Sequence, residues 1–211
     1  PGDIKSSLPN SPPDKSESFD QIIKDLNELI LPGITHWNHP KFMAYFNSTS
    51  SSAGIFAELL SASFNTHAML WKTNPASTEI EVVPLDWLRQ LLVLSDNYSG
   101  ITSDLASNST MHAIIAAREN IECYSVREKG LGGLKDMPRL RIYASDQAHS
   151  SIEKGAIIAG IGLEGVRKIP SDDKFQMISS QLEKAIQEDR KNGWLPFFVV
   201  GTVGTTSTTS I

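Results

Sequence analysis

The chain has 211 residues, of which 40% are hydrophobic and 20% are charged, so it is long enough to bury one sizeable globular core. Its formal net charge of −5 offers no basic stripe of the kind that binds nucleic acid. Its apolar runs are all shorter than the roughly 20 residues that a membrane-spanning helix needs. A single cysteine, Cys123, excludes an internal disulfide framework. We therefore expect a cytoplasmic globular protein that binds neither nucleic acid nor membrane.

Helical patterns dominate the first half of the chain. Residues 1–16 are rich in proline, serine and charge, which predicts an extended or mobile segment. A helix is predicted over 19–30, with Ser18 and Gln21 forming a capping box at its start. Three further segments repeat apolar residues at helical spacing: 53–64, 78–94 and 107–123. We assign residues 17–94 to an N-terminal helical arm and the start of a larger domain.

The second half alternates between strands and helices. Strands are predicted over 141–145, 166–169 and 196–203, and helices over 151–161 and 175–190. This alternation predicts parallel βαβ units with helices on both faces of the sheet. Residues 95–211 are therefore expected to form an α/β domain. Ligands of such domains bind beyond the carboxyl ends of the strands.

Three polar segments fall where such a domain would bind a ligand. Residues 104–110 open a helix whose free N–H groups could bind an anion, although plain N-capping by Ser107 explains the same residues. Residues 145–151 follow a strand and bring His149 to the crevice, where it could stack on a ligand, exchange a proton or simply pack. Residues 201–207 form a Gly/Thr-rich segment that could approach a ligand or only make a tight turn.

The chain resembles the group II pyridoxal-phosphate-dependent decarboxylases in the order and content of its motifs. The matching segments are 35–40, 44–46, 74–79, 85–88, 106–107, 143–151 and 201–207. The resemblance is closest to the aromatic L-amino-acid branch, which comprises the DOPA, tyrosine and tryptophan decarboxylases. It extends from about Phe19 to Ile211. No Walker, GxGxxG or zinc-binding motif is present, so no metal is expected.

The resemblance implies an aspartate-aminotransferase-like large domain of the type I pyridoxal-phosphate fold, preceded by an N-terminal helical dimer arm. It also implies pyridoxal 5'-phosphate as the cofactor and a homodimer as the assembly. Ala106 and Ser107 are similar to the family's phosphate-binding turn. His149 is similar to the histidine that stacks on the pyridine ring and handles a proton after CO₂ departs, and Thr206 to the threonine near the ring and its 3-oxygen.

The resemblance also implies a substrate pocket for an aromatic L-amino acid. Trp37, Tyr45 and Phe46 are similar to residues of the pocket wall. His67 and Met69 match pocket residues that the family contributes across the dimer interface.

Several positions depart from the family pattern. Asn47 stands where a proline is common, and Met69 stands where the animal enzymes carry an aromatic residue, which leaves the preferred substrate side chain open. Leu105 and Asn108 replace the glycine and the acidic residue usual in the phosphate-binding turn, and this change could alter the shape of that turn.

The family's cofactor-anchoring lysine and its pyridine-pairing aspartate have no matching motif up to Ile211. We therefore expect a truncated chain, part of a longer enzyme whose remainder completes the site. Decarboxylation of an aromatic L-amino acid is the predicted activity. The alternatives are an aromatic aldehyde synthase, a histidine or glutamate decarboxylase of the same fold, or a truncated non-catalytic protein that only dimerises.

Overall fold

The computed structural model describes residues 3–45, 49–121 and 124–211. The chain forms two compact units, Pro1–Phe64 (unit 1) and Asn65–Ile211 (unit 2). The division falls within the segment assigned above to the helical arm and the start of the larger domain, residues 17–94.

The regular elements that the structure describes in unit 1 are helical. They are Asp3–Ser7 (α1), Phe19–Asp25 (α2), a π-helical segment at Leu26–Ile30, Leu31–Gly33 (α3) and Ser52–Phe64 (α4). Ser18 caps α2 as predicted, since its Oγ accepts a hydrogen bond from the N–H of Gln21 at 3.2 Å. The Gln21 amide donates to Asp25 instead of returning to Ser18, so only half of the capping box forms. Because α1 lies in it, the 1–16 segment is not extended throughout.

Unit 2 contains the predicted parallel sheet. Its elements are Pro75–Leu91 (α5), Ala106–Glu119 (α6), Val126–Lys129 (α7), a 3₁₀ turn at Leu131–Gly133, Arg139–Ser145 (β1), Ser151–Ile158 (α8), a 3₁₀ turn at Leu163–Gly165, Val166–Ile169 (β2), Ser179–Lys191 (α9) and Trp194–Val200 (β3). The strand order is β2-β1-β3, and β1 pairs in parallel with both neighbours. The βαβ prediction is confirmed.

Helices cover both faces of this sheet. Successive side chains of β1 point to opposite sides, so the strand contributes residues to a core on each face. One side packs against α6 and α8 in a cluster whose buried residues are Ile114, Ile142, Ala144, Ile152, Ala156 and Ala159. The other side packs against α9, where Tyr143, Ile169 and Ala185 are buried together. The burial of consecutive β1 residues, Ile142 to Ser145, therefore confirms the predicted two-sided architecture.

Helices α6 and α8 lie side by side and run in the same direction. A Cβ placed on Gly155 of α8 would lie 3.0 Å from Cδ1 of Ile114 and 3.4 Å from Cα of Met111, so glycine allows this close approach. Further along both helices, Nη1 of Arg118 donates to the carbonyl of Ala159 at 2.6 Å. Because α8 begins at the carboxyl end of β1, the N-terminus of α6 lies at that same edge of the sheet.

One predicted helix begins later than expected. The last helix starts at Ser179 rather than at Phe175. Oδ1 of Asp172 accepts hydrogen bonds from the N–H groups of Lys174 and Gln176, both at 2.9 Å, and these bonds stabilise a turn in place of a helical start. Most other element ends differ from prediction by a few residues, whereas β2 has the predicted bounds.

A buried carboxylate joins α9 to the sheet. Asp189 is 3% exposed and accepts hydrogen bonds from the Tyr143 hydroxyl at 2.9 Å and from Nη2 of Arg141 at 3.2 Å. Nη1 of Arg167 lies 3.0 Å from the same carboxylate, and the Arg141 guanidinium stacks on Trp194. Burial, together with the bond to Asp189, raises the pKa of Tyr143 far above its usual range, so its hydroxyl stays a donor.

Replacing Asp189 with alanine should destabilise the protein strongly. Asp189→Ala removes the carboxylate that Arg141 and Arg167 share, which should lower the free energy of unfolding of the full-length protein by about 3 kcal/mol. Asp173→Ala is the control, because Asp173 is exposed and makes no ion pair within the described residues; its effect should stay below about 0.5 kcal/mol. Urea unfolding measures both. Equal effects would contradict a stabilising role for the cluster.

Candidate active site

The candidate site begins with a tight turn at the carboxyl end of β1. Ser145, the last residue of the strand, is buried, and its carbonyl accepts a hydrogen bond from the N–H of Ala148 at 3.0 Å. Its Oγ accepts a second bond from the N–H of Gln147 at 3.1 Å. This turn places His149 at the edge of the sheet, just before α8, which is the position predicted for it.

The imidazole of His149 is exposed and held by one local hydrogen bond. Its Nδ1 accepts from the N–H of Ser151 at 3.1 Å. Because Nδ1 is an acceptor, the neutral ring carries its proton on Nε2. His39 and His67 accept similar bonds from the N–H two residues ahead. The location of His149 at the end of β1, rather than this bond, therefore distinguishes it.

The N-terminus of α6 has no side-chain cap. Leu105 occupies the N-cap position and makes no capping bond. Ser107 lies inside the helix, so the alternative in which it serves as the N-cap is wrong. Ala106 and Ser107 are both exposed, and the Ser107 hydroxyl makes no hydrogen bond among the residues that the structure describes. Free N–H groups at the positive end of a helix are able to bind an anion, and here they lie at the carboxyl edge of the sheet.

In the threonine turn that follows β3, the adjacent residues Thr205 and Thr206 differ in burial. Thr205 is 4% exposed, and its Oγ1 lies 2.6 Å from Oγ1 of Thr208 and 3.0 Å from Oγ of Ser210. Thr206, the residue predicted from the sequence, is exposed and makes no hydrogen bond within the described part of the chain. The Gly-Thr-Thr pattern alone cannot decide which threonine points inward, so sequence reasoning missed Thr205.

A cavity of about 300 Å³ opens at this edge of the sheet. Its lining includes Ser145 from β1, Thr202 and Thr205 from the turn after β3, and Phe175, Gln176 and Met177 from the loop between β2 and α9. Sequence reasoning placed the start of a helix in that loop and so missed its contribution to the cavity wall. Ala106, Ser107 and His149 do not line the cavity.

Three aromatic rings stack in unit 1. The ring centroids of Trp37 and Tyr45 lie 5.1 Å apart, and the two ring planes are inclined by 6°. The ring centroid of Phe42 lies 5.1 Å from that of Trp37, with an angle of 22° between the planes. Tyr45 is 83% exposed, so the group presents an aromatic surface. Phe42 was not singled out in the sequence, and Phe46 lies outside the described residues.

The two remaining predicted pocket residues belong to unit 2. Nδ1 of His67 accepts from the N–H of Met69 at 3.3 Å, and the His67 carbonyl accepts from the Thr73 hydroxyl at 3.3 Å. Both His67 and Met69 are exposed.

Residues 3–45, 49–121 and 124–211 contain neither a cluster of metal ligands nor a helix that could cross a membrane. No group of three or more His, Cys, Asp or Glu side chains is arranged to hold a metal ion. No helix within those ranges is both long enough and apolar enough to cross a membrane.

The whole chain, residues 1–211, matches the family described as "Pyridoxal-dependent decarboxylase conserved domain". It is 38% identical over 98% of its length to the aromatic-L-amino-acid decarboxylase of Bos taurus, and 37% identical over 100% of its length to a phenylacetaldehyde synthase of Arabidopsis thaliana. It covers 44% and 43% of those proteins, so it spans less than half the length of these relatives.

A solved structure gives the same result. The Catharanthus roseus tryptophan decarboxylase in complex with L-tryptophan superposes with a TM-score of 0.89 at 35% identity, over 100% of this chain and 45% of that one. This likeness confirms the fold class predicted from the sequence. The chain belongs to the pyridoxal-dependent decarboxylase family.

Proposed function

We propose that this chain forms the front half of the cofactor-binding domain of an enzyme that decarboxylates an aromatic L-amino acid to its amine and CO₂. The observation that carries this proposal is the shared edge of the sheet in unit 2. The uncapped N-terminus of α6, the His149 turn and the threonine turn after β3 all lie at that edge. The aromatic substrate is supported by the names of the relatives reported above.

The N-terminus of α6 fits the phosphate group of pyridoxal 5'-phosphate. The backbone N–H groups of Ala106 and Ser107 and the Ser107 hydroxyl are free to donate. The helix dipole places about half a positive charge at this end, which favours a phosphate dianion. When bound, the cofactor supplies the electron sink for the electron pair that CO₂ leaves behind. The lysine and the aspartate that complete the site are expected in the remainder of the polypeptide.

His149 is suited to stack on the cofactor ring and to handle a proton. Its hydrogen bond from Ser151 fixes Nδ1 as an acceptor, so Nε2 carries the proton that the neutral ring could donate. We propose that the ring takes up a proton from solvent and delivers one from Nε2 to the carbon atom that has lost CO₂, which leaves the ring neutral again. Exposure of the ring leaves its face open to a planar ligand.

The threonine turn offers two candidates for a contact with the cofactor ring. Thr206 follows the family motif, whereas Thr205 lines the cavity together with Ser145. The Thr205 hydroxyl contacts Thr208 and Ser210, and these contacts hold its side chain in the lining of the cavity. We therefore extend the cofactor-binding proposal to Thr205.

The aromatic stack in unit 1 is suited to contact an aromatic substrate side chain. Trp37 and Tyr45, with Phe46, would form one wall of the pocket, and His67 and Met69 of the partner subunit would form another.

Exposed apolar side chains support a homodimer, because surfaces of this extent are usually covered. One example is Phe56 of α4. Ile80 and Trp87 of α5 are others, and these two residues line a groove of about 520 Å³ in unit 2. The single cysteine fits the cytoplasm.

An aromatic aldehyde synthase is the second candidate. Identity to the Arabidopsis phenylacetaldehyde synthase is 37%, against 38% to the bovine decarboxylase, so overall similarity does not separate the two activities. The reaction products do separate them.

The complete enzyme should release CO₂ from an aromatic amino acid. Full-length protein loaded with pyridoxal phosphate should show the visible absorption band of the bound cofactor. It should form one amine for each CO₂ released from tyrosine, DOPA or tryptophan. Glutamate and histidine serve as control substrates, and protein without cofactor is the blank. An arylacetaldehyde product would favour the synthase, and absence of CO₂ from all three aromatic substrates would contradict both candidates.

Substitution of His149 should act mainly on turnover. Loss of an acid–base group lowers kcat by roughly 10²–10⁴-fold, and we expect this for both His149→Ala and His149→Gln at saturating cofactor. Glutamine keeps a planar polar group, so it should retain the cofactor better than alanine. His112→Gln is the matched control, because His112 is exposed on α6 and its side chain makes no hydrogen bond within the described residues. Turnover near the wild-type rate in both His149 variants would show that the assignment is wrong.

A matched pair of substitutions separates the two threonines. Thr205→Val should lower the free energy of unfolding by about 1–2 kcal/mol, because it removes a buried hydroxyl from its partners. Thr206→Val should change it by less than about 0.5 kcal/mol. The dissociation constant for pyridoxal phosphate should rise more in Thr205→Val. A rise confined to Thr206→Val would instead support the residue predicted from the sequence.

A further inference from the structure

We infer that Asp146 is a positioning residue for catalysis, which fixes the His149 turn against the cavity wall formed by the loop between β2 and α9. The inference rests on the proposed function, because it gives Asp146 a role in the turnover that His149 supports. Asp146 is not among the residues to which a cofactor or substrate contact is assigned above.

Asp146 joins the ends of two neighbouring strands. Its N–H donates to the carbonyl of Ile169, the last residue of β2, at 3.0 Å. Its Oδ2 accepts a hydrogen bond from the N–H of Ser171 at 3.3 Å. Its Oδ1 accepts from Oγ of Ser145 at 3.4 Å and from Nε2 of Gln147 at 3.3 Å. One side chain therefore connects the turn after β1 to the chain that leaves β2.

The Ser171 side of this connection leads to the cavity wall. Ser171 pairs with Met177 in an isolated antiparallel bridge, and Met177 lines the cavity. Between them, Phe175 has a φ of 61°, which is unusual for a bulky residue, and Asp172 holds the turn in that conformation. The Phe175 carbonyl accepts from Oγ of Ser210 at 2.7 Å. The loop is thus tied to the sheet at Ser171 and to the threonine turn at its tip.

The other side of the connection leads to His149. The His149 ring is exposed, so little packing orients it, and its position follows that of the turn in which Asp146 lies. Partial desolvation raises the pKa of Asp146, but the hydrogen bonds from Ser171, Gln147 and Ser145 outweigh this effect and hold the pKa below its usual value. An ionised carboxylate accepts from all three donors. Asparagine could serve some of them, and alanine could serve none.

A double-mutant cycle in the full-length, cofactor-bound enzyme tests this role. Asp146→Ala should lower kcat about tenfold in the wild-type background, because a small misplacement of a reacting group reduces the rate by this order or more. In the His149→Gln background the same substitution should lower kcat less than about twofold, because residues that act through each other are not additive. Asp146→Asn should fall between wild type and alanine, and the Asp173→Ala control should match wild type in kcat.

A second measurement does not depend on activity. The imidazole signal of His149, identified by its loss in His149→Gln, should shift or broaden in the NMR spectrum of Asp146→Ala but not in that of Asp173→Ala. An unshifted signal, or an equal fall in kcat in both backgrounds, would overturn the inference. If the wild-type enzyme decarboxylates no aromatic amino acid while the His149 signal still responds to Asp146→Ala, the proposed function fails and the positioning of His149 by Asp146 stands.

Discussion

Parallel pairing of β1 with a strand on each side determines where unit 2 is able to bind a ligand. The three strands end at one edge, and the segments that leave them carry His149 after β1, Ser171 after β2 and Thr205 after β3. The N-terminus of α6 reaches the same edge because α6 runs alongside α8, with Gly155 allowing the close approach. Residues far apart in the sequence are therefore gathered without any of them having to recognise another directly.

A second set of interactions holds α9 against one face of the sheet. Asp189 near the end of α9 is shared by Arg141, Tyr143 and Arg167, all of which project from β1 or β2. These contacts fix the position of α9, and the loop that precedes α9 forms a wall of the cavity. Buried ion pairs contribute little net stability compared with apolar packing, but loss of one member leaves the others uncompensated. The cluster therefore specifies how α9 lies on the sheet.

The sequence predicted features that depend on periodicity and missed those that depend on single hydrogen bonds. Alternating strands and helices were sufficient for the parallel sheet, and the position of His149 followed from its place directly after β1. The predicted start of α9 was wrong. Phe175 fits an apolar helical face, but the Asp172 carboxylate accepts hydrogen bonds from the N–H groups of Lys174 and Gln176 and stabilises a turn instead. Serine is a common N-cap residue, which made Ser107 a candidate, yet the helix begins one residue earlier, at Ala106. Thr205 and Thr206 differ only in how the turn orients them.

A crystal structure of the full-length protein with bound pyridoxal phosphate tests the central claim most directly, because it locates the cofactor relative to the carboxyl edge of the sheet. We expect phosphate oxygens within about 3.2 Å of the backbone nitrogens at the start of α6, the distance typical of hydrogen bonds. We also expect the imidazole of His149 to stack parallel to the pyridine ring. A phosphate bound away from Ala106 and Ser107, or a pyridine ring that does not face His149, would contradict it.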